Sequence, residues 1–163
     1  FKAKDHGSAI TAFDAAIAKE GDKMLAYLLK AQTQLDHGDL DSAWQTVVAG
    51  KAKKGSEGEV AKMLFLSANL EERRTDVPPP GVDGAKAVAV SAWNLVKEAW
   101  TGYATFLTTH TAVPNYTATA DARKAKVDER IKRDADYGAV KERIEKIAAD
   151  ADKERQKDAE KAE

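Results

Sequence analysis

Residues 26–50, AYLLKAQTQLDHGDLDSAWQTVVAG, carry the pattern that decides the fold. Apolar residues recur at three- and four-residue spacing on both sides of a short polar turn, which predicts two amphipathic helices. Gly38 suits the left-handed residue that follows a helix, and Asp39 suits the N-cap of the next one. The stretch therefore predicts a helical hairpin.

Part of this hairpin repeats an earlier segment of the chain. The string G-x-x-x-x-A-F begins at Gly7 and the string G-x-x-x-x-A-W begins at Gly38, so the two are 31 residues apart. A period of roughly 20–50 residues is typical of stacked helical repeats. We expect the alanine to allow close approach of neighbouring helices and the aromatic residue to fill the space between them.

Residues 26–50 resemble the tetratricopeptide (TPR) repeat family. The positions that match the family are Tyr27, Ala31, Gly38, Leu40, Ala43 and Val47. The family prefers Leu, Tyr and Ala where this chain has Lys30, Gln34 and Gly50, no proline closes the unit, and the offset is shorter than the usual period of about 34 residues. The resemblance extends well over residues 7–70 and loosely over 85–133.

The resemblance implies a right-handed superhelix whose concave face binds a peptide or another protein. The first helix of each unit would line this face. Carried over by position, the partner-binding residues are Leu25, Leu28, Gln32 and Leu35, with Lys62, Phe65 and Asn69 in a degenerate later unit. The apolar pair Leu25 and Leu28 suggests a groove for an apolar segment, not the polar clamp with which some members hold C-terminal carboxylates.

Helical periodicity continues along the whole chain and predicts an all-α fold of about seven helices without a sheet. Ser8 is the expected N-cap of the first helix. The fourth helix should stop near Arg74, because three consecutive prolines follow in an insert near 76–84. The fifth helix is expected from about Gly84.

The chain changes character after residue 115. Residues 1–115 form the predicted repeat region, whereas 116–163 form charged C-terminal helices that pack partly on the same domain. From Asp121 onward, 13 residues are basic and 13 are acidic. The step from Tyr137 to Gly138 is expected to separate two helices, and beyond Ala151 we expect a solvated or frayed helix.

The composition excludes several function classes. The chain has no cysteine, which excludes disulfides, thiolate metal sites and cysteine nucleophiles. A net charge of −1 argues against general nucleic-acid binding, and no apolar run reaches the roughly 20 residues that span a bilayer. The start at Phe1 favours a fragment or processed product, from which a signal or lipid anchor could have been removed. The alanine-rich, cysteine-free chain with short repeats favours a bacterial source, and the start at Phe1 favours a processed periplasmic or cell-envelope protein over a cytoplasmic one.

No catalytic constellation is visible in the sequence. Phosphate-binding and nucleophile-elbow motifs are missing, and acid pairs such as Glu71-Glu72 point about 100° apart on a helix. His6, His37 and His110 are far apart in sequence, and none has a second histidine at i,i+4 spacing. We therefore expect no enzyme activity, no metal and no cofactor.

The function predicted from the sequence is a protein-interaction scaffold. One alternative is an oligomerising module whose C-terminal helices pair with a second copy, giving a dimer that is lost when the tail is removed. Another is a small-molecule or lipid carrier with a pocket beside Trp93, Trp100 and Tyr103. Because these three aromatic residues share one helical face, we expect them in the core instead.

Overall fold

The computed structural model describes residues 4–76 and 86–162, with side chains for 5–76 and 86–156. Within these residues the chain forms six α-helices and no strand. The helices are α1 (Lys4–Lys19), α2 (Met24–His37), α3 (Leu40–Lys51), α4 (Glu57–Thr75), α5 (Val90–Thr109) and α6 (Thr117–Ala162). The expected all-α fold class is thereby confirmed.

The turn between α2 and α3 has the predicted capping groups. Gly38 adopts φ 91°, and its N–H donates to the Leu35 carbonyl at 3.0 Å. The Asp39 carboxylate accepts a hydrogen bond from the Ser42 N–H at 3.3 Å. The two caps satisfy terminal backbone groups of both helices and hold α2 and α3 as a hairpin.

Backbone contacts also fix where α2 and α4 begin. The Met24 N–H donates to the Lys54 carbonyl, and the Lys54 N–H donates to the Asp22 carbonyl, both at 2.8 Å. At the start of α4, Ser56 and Glu59 form a reciprocal capping box. The N-terminal ends of α2 and α4 are therefore held near each other.

Each helix packs against the next one along the chain, and α2 packs in addition against α4. This arrangement buries two groups of apolar side chains. The first lies among α2, α3 and α4 and consists of Met24, Leu28, Ala31, Leu35, Ala43, Val47, Met63, Leu66 and Leu70. The second lies among α4, α5 and α6 and consists of Ala61, Ala68, Trp93, Val96, Trp100, Tyr103, Leu107, Ala120 and Val127. Helix α4 contributes to both cores.

Two buried carboxylates attach α6 to the rest of the molecule. Asp134 accepts hydrogen bonds from the Trp93 indole N–H at 2.9 Å and the Val88 N–H at 3.0 Å. Glu72 of α4 accepts from the Trp100 indole at 3.0 Å and pairs with Arg123 and Arg130 of α6. Beyond Asp134, α6 extends away from these contacts, and residues 139–150 are exposed.

Three expected helix boundaries were wrong. Helix α1 begins at Lys4, ahead of Ser8, and residues 86–89 are not helical, so α5 begins at Val90. Tyr137 and Gly138 lie inside α6, which is one continuous helix instead of two. A glycine costs a helix only about 1 kcal/mol relative to alanine, which good helix formers on both sides can offset. The proline run falls in 77–85, outside the described residues.

The predicted aromatic core is confirmed, since Trp93, Trp100 and Tyr103 are all buried. Trp44 is only half-buried, and the Arg74 guanidinium covers its ring at 4.9 Å from the centroid. None of the helices in the described part of the chain combines the length and apolar composition that crossing a bilayer requires.

Candidate functional site

A groove of about 330 Å³ runs between α2 and α4. The segment after α5 closes one end, where Pro114 and Tyr116 lie against the groove beside Tyr103. Because α2 and α4 begin close together, their side chains face each other across the groove. The lining is mainly apolar, and this volume suits a few side chains of a bound segment.

The floor and the edge of the groove differ in exposure. Leu28 and Leu66 are buried and form part of the floor. Leu25 and Leu29 stand at the edge and are 47% and 44% exposed. Together with the hollow beside them, these two leucines form a continuous patch of exposed apolar surface.

An aromatic cluster forms the wall at the closed end of the groove. The Phe65 ring lies 5.3 Å from the Tyr103 ring, 5.4 Å from the Trp100 ring and 5.8 Å from the Tyr116 ring, measured between centroids. The Tyr103 hydroxyl accepts a hydrogen bond from the Tyr116 N–H at 3.3 Å. Burial raises the pKa of the Tyr103 phenol, so it stays protonated at neutral pH. The wall is therefore neutral and held in place by the core.

The structure brings together five of the seven residues predicted for partner binding. These five, which all line the groove, are Leu25, Leu28, Gln32, Lys62 and Phe65. Leu35 is instead buried in the core among α2, α3 and α4, and Asn69 is half-buried outside the lining. Leu35 lies in the last turn of α2, where the hairpin turn brings α3 against it.

Several lining residues were missed by the sequence analysis. Leu29 follows Leu25 by four residues, a spacing that places both on one helix face and could have identified it. Pro114 and Tyr116 follow α4 by about 40 residues. They do not match any position of the repeat from which the partner-binding residues were predicted. Their place in the groove depends on how α5 returns along α4.

The polar groups around the groove are few. The Gln32 side-chain amide donates to Asp36 at 2.8 Å, and the Glu59 carboxylate accepts from the Ser56 N–H in the capping box. Lys62 is exposed, and within the described residues it forms no ion pair. Among the described residues that line the groove, Lys62 is the one cation and Glu59 the one carboxylate, so most of the contact that the groove offers is apolar.

A second apolar hollow adjoins the groove on the side of α1. It measures about 390 Å³ and lies between α1 and α2, with Phe13 on its far side. Leu25 and Leu29 line both hollows and form the ridge between them. The apolar surface therefore continues from α1 across α2 to α4.

The histidines do not assemble a metal centre in the described residues, where no group of three potential ligands occurs. His6 and His37 meet as stacked rings 3.9 Å apart. His110 stacks on Phe106 at 3.8 Å and places Nδ1 at 2.8 Å from the Phe106 carbonyl. Stacked rings do not direct their nitrogens toward one point, so this pair is not arranged as a ligand set.

Comparison with known proteins gives no relative from which a function could be carried over. No protein-family model, no curated protein and no solved structure matches this chain.

Proposed function

We propose that this chain is a non-catalytic scaffold that binds an apolar segment of a partner protein in the groove between α2 and α4. The observation that carries the proposal is the pair of exposed leucines, Leu25 and Leu29, beside a preformed hollow with an aromatic end wall. Exposed large apolar side chains grouped at a concave site favour binding of a partner.

The order of helix contacts supports a TPR-like arrangement. Helix α2 packs against α3, α3 against α4, and α2 also against α4. Two successive repeat units produce this pattern when their first helices lie side by side on the concave face. The groove lies between α2 and α4, which are the first helices in the proposed alignment. Helix α6 departs from the pattern, since it packs against α5 and reaches α4 through arginine side chains.

The chemistry of the groove limits what it can hold. Leucine and phenylalanine side chains line it, and Lys62 provides a positive charge at the edge. A segment with apolar side chains on one face, presented at helical or extended spacing, would bury them against Leu25, Leu29 and Phe65. An acidic residue near these anchors would complement Lys62. A carrier function beside Trp93 and Trp100 has less support, because both rings are fully buried in the core.

The proposal is tested by selecting binders from a displayed peptide library and measuring their affinity for designed variants. In Leu25→Glu/Leu29→Glu, two carboxylates would replace the exposed apolar ridge. Placing unpaired carboxylates in an apolar contact costs about 2 kcal/mol or more, so we expect affinity to fall by roughly thirtyfold or more. Fluorescence anisotropy of a labelled selected peptide gives the Kd.

The control is Val48→Glu/Leu95→Glu, which adds the same charges at exposed apolar residues outside the groove. Both variants should retain wild-type helicity by circular dichroism, because all four side chains are about half exposed and lie outside the two buried cores. The control should bind within about twofold of wild type. If no peptide is enriched, or if enriched peptides bind the Leu25/Leu29 variant as tightly as wild type, the groove is not the binding site.

A further inference from the structure

An apolar stripe lies exposed on the outer part of α6. Val140, Ile144 and Ile147 are 57%, 62% and 60% exposed. Tyr137 and Ala151 extend the stripe, and the five residues are spaced alternately by three and four. Alternate spacing of three and four over two heptads is the pattern of a helix that pairs with another helix.

The stripe faces away from the direction in which α6 packs on its own chain. The residues that face α5 are Ala120, Val127 and Asp134. At 100° per residue, the centre of the stripe is rotated by about 120° from these three. The stripe also begins only after Asp134, the last anchor to α5. The described part of the molecule therefore leaves it open to a partner helix.

Charges beside the stripe are arranged to match a second copy running in the opposite direction. Such pairing places Ile144 opposite Ile147 of the other copy, and Val140 opposite Ala151.

Arg143 of each copy then lies beside Asp150 of the other, which gives two symmetric ion pairs. Among the residues whose side chains the structure describes, Asp150 pairs with Lys153 alone, at 4.0 Å. The stripe is thus complementary to itself in the spacing of its apolar residues and in charge.

A parallel pair of α6 helices would fit less well along the stripe. In a parallel pair, each Glu154 would lie on the stripe opposite the other Glu154, and like charges on such a seam are unfavourable. In the antiparallel pair, Glu154 lies opposite Tyr137 instead. The parallel pair would form other flanking ion pairs, including one between Asp150 and Arg155, so the two orientations respond differently to substitution at Asp150.

We propose that two copies of this chain associate through α6 as an antiparallel helix pair along the stripe from Tyr137 to Ala151. The helix is already formed in the single chain, so association does not include the cost of nucleating it. Two heptads bury less area than the roughly 1,200 Å² of a stable complex, so we expect a weak dimer with a Kd on the order of 10–100 µM. This surface is separate from the α2–α4 groove.

Sedimentation of the full chain across concentrations from roughly 5 to 500 µM, which bracket the expected Kd, tests the proposal. Wild type should change from monomer to dimer over this range. Ile144→Glu/Ile147→Glu should remain monomeric, because it places charges on the stripe. Ala139→Glu/Ala149→Glu adds the same charges on other faces of α6 and should dimerise like wild type. All four residues are exposed, so helicity should be unchanged in both variants.

A charge exchange tests the orientation. Arg143→Glu alone should weaken the antiparallel dimer, and Arg143→Glu/Asp150→Arg should restore it by rebuilding the two ion pairs with reversed signs. In a parallel dimer the double variant would instead place the introduced guanidinium near Arg155 of the other copy and fail to recover. A chain that stays monomeric throughout, a dimer that survives the Ile144/Ile147 variant, or a double variant that does not recover would each overturn the proposal.

Discussion

Three residues that depart from the TPR pattern have specific partners in the structure. Lys30 reaches Asp14 of α1 at 2.6 Å and so connects α2 to α1. The Gln34 amide oxygen accepts a hydrogen bond from the Thr46 hydroxyl at 2.8 Å, inside the α2–α3 interface. At Gly50, a Cβ atom would lie 2.7 Å from Tyr27 Cβ and 2.7 Å from Met63 Cε. Each departure therefore replaces an apolar contact by a polar contact or by closer helix packing.

The close approach at Gly50 leads to a prediction about stability. Gly50→Ala should destabilise the fold by about 1–3 kcal/mol, because Tyr27 Cβ is next to the backbone and cannot move aside without shifting α2. Gly102→Ala is the matched control, since it is a helical glycine with no atom near the added Cβ. That substitution should stabilise by about 0.5–1 kcal/mol. Urea denaturation measures both, and a stabilising Gly50→Ala would contradict the proposed close packing.

At the scale of helices, the attachment of α6 depends on a carboxylate that must remain ionised. Burial of Asp134 raises its pKa, but hydrogen bonds from Arg133, Trp93 and the Val88 N–H lower it by more, so the pKa lies below that of an ordinary aspartate. A carboxyl group with a lower pKa in the folded state favours folding at pH values above its unfolded pKa of about 4. This contribution is lost as the pH falls through the folded value.

Asp134→Asn should therefore make stability less sensitive to acid. The variant should be less stable than wild type at pH 7 by about 1–3 kcal/mol, because a charge-assisted hydrogen bond becomes a neutral one. Between about pH 5 and pH 2.5, its free energy of unfolding should fall less steeply than that of wild type. Asp136→Asn, at an exposed site two residues away, should retain the wild-type slope. Parallel pH profiles for Asp134→Asn and wild type would contradict the role given to this carboxylate.

At the scale of the whole molecule, α4 belongs to both apolar cores. One face carries Met63, Leu66 and Leu70 into the first core, and another carries Ala61 and Ala68 into the second. The two cores should therefore lose their structure together. The outer part of α6 should unfold independently of the two cores, because its residues 139–150 are exposed.

Leu70→Ala tests this coupling. The side chain is fully buried in the first core, and its truncation should cost about 2–5 kcal/mol. Hydrogen exchange should show the same loss of protection in α2, α3 and α5, although α5 does not contribute to the first core. The amides of residues 140–150 should be unaffected. A loss confined to α2–α4 would show instead that the two cores unfold separately.

Local sequence patterns determined the helical class, the hairpin turn at Gly38 and Asp39, and the burial of the Trp93–Tyr103 stripe. Periodicity and capping are properties of neighbouring residues, so these features could be predicted without the tertiary structure. The same patterns failed at Gly138, because a single glycine weakens a helix without ending it. Five groove residues could be predicted from the repeat, since it places them on the first helix of each unit.

Only the tertiary structure decided the rest of the site. Whether Leu35 faces the groove or the core depends on how closely α3 packs against α2. The aromatic end wall depends on the return of α5 along α4, which brings Tyr116 to Phe65 across about 50 residues of chain. The open stripe on α6 likewise appears only once Asp134 fixes which face of the helix meets α5. Contacts between distant segments depend on packing, and packing is not encoded in any one local pattern.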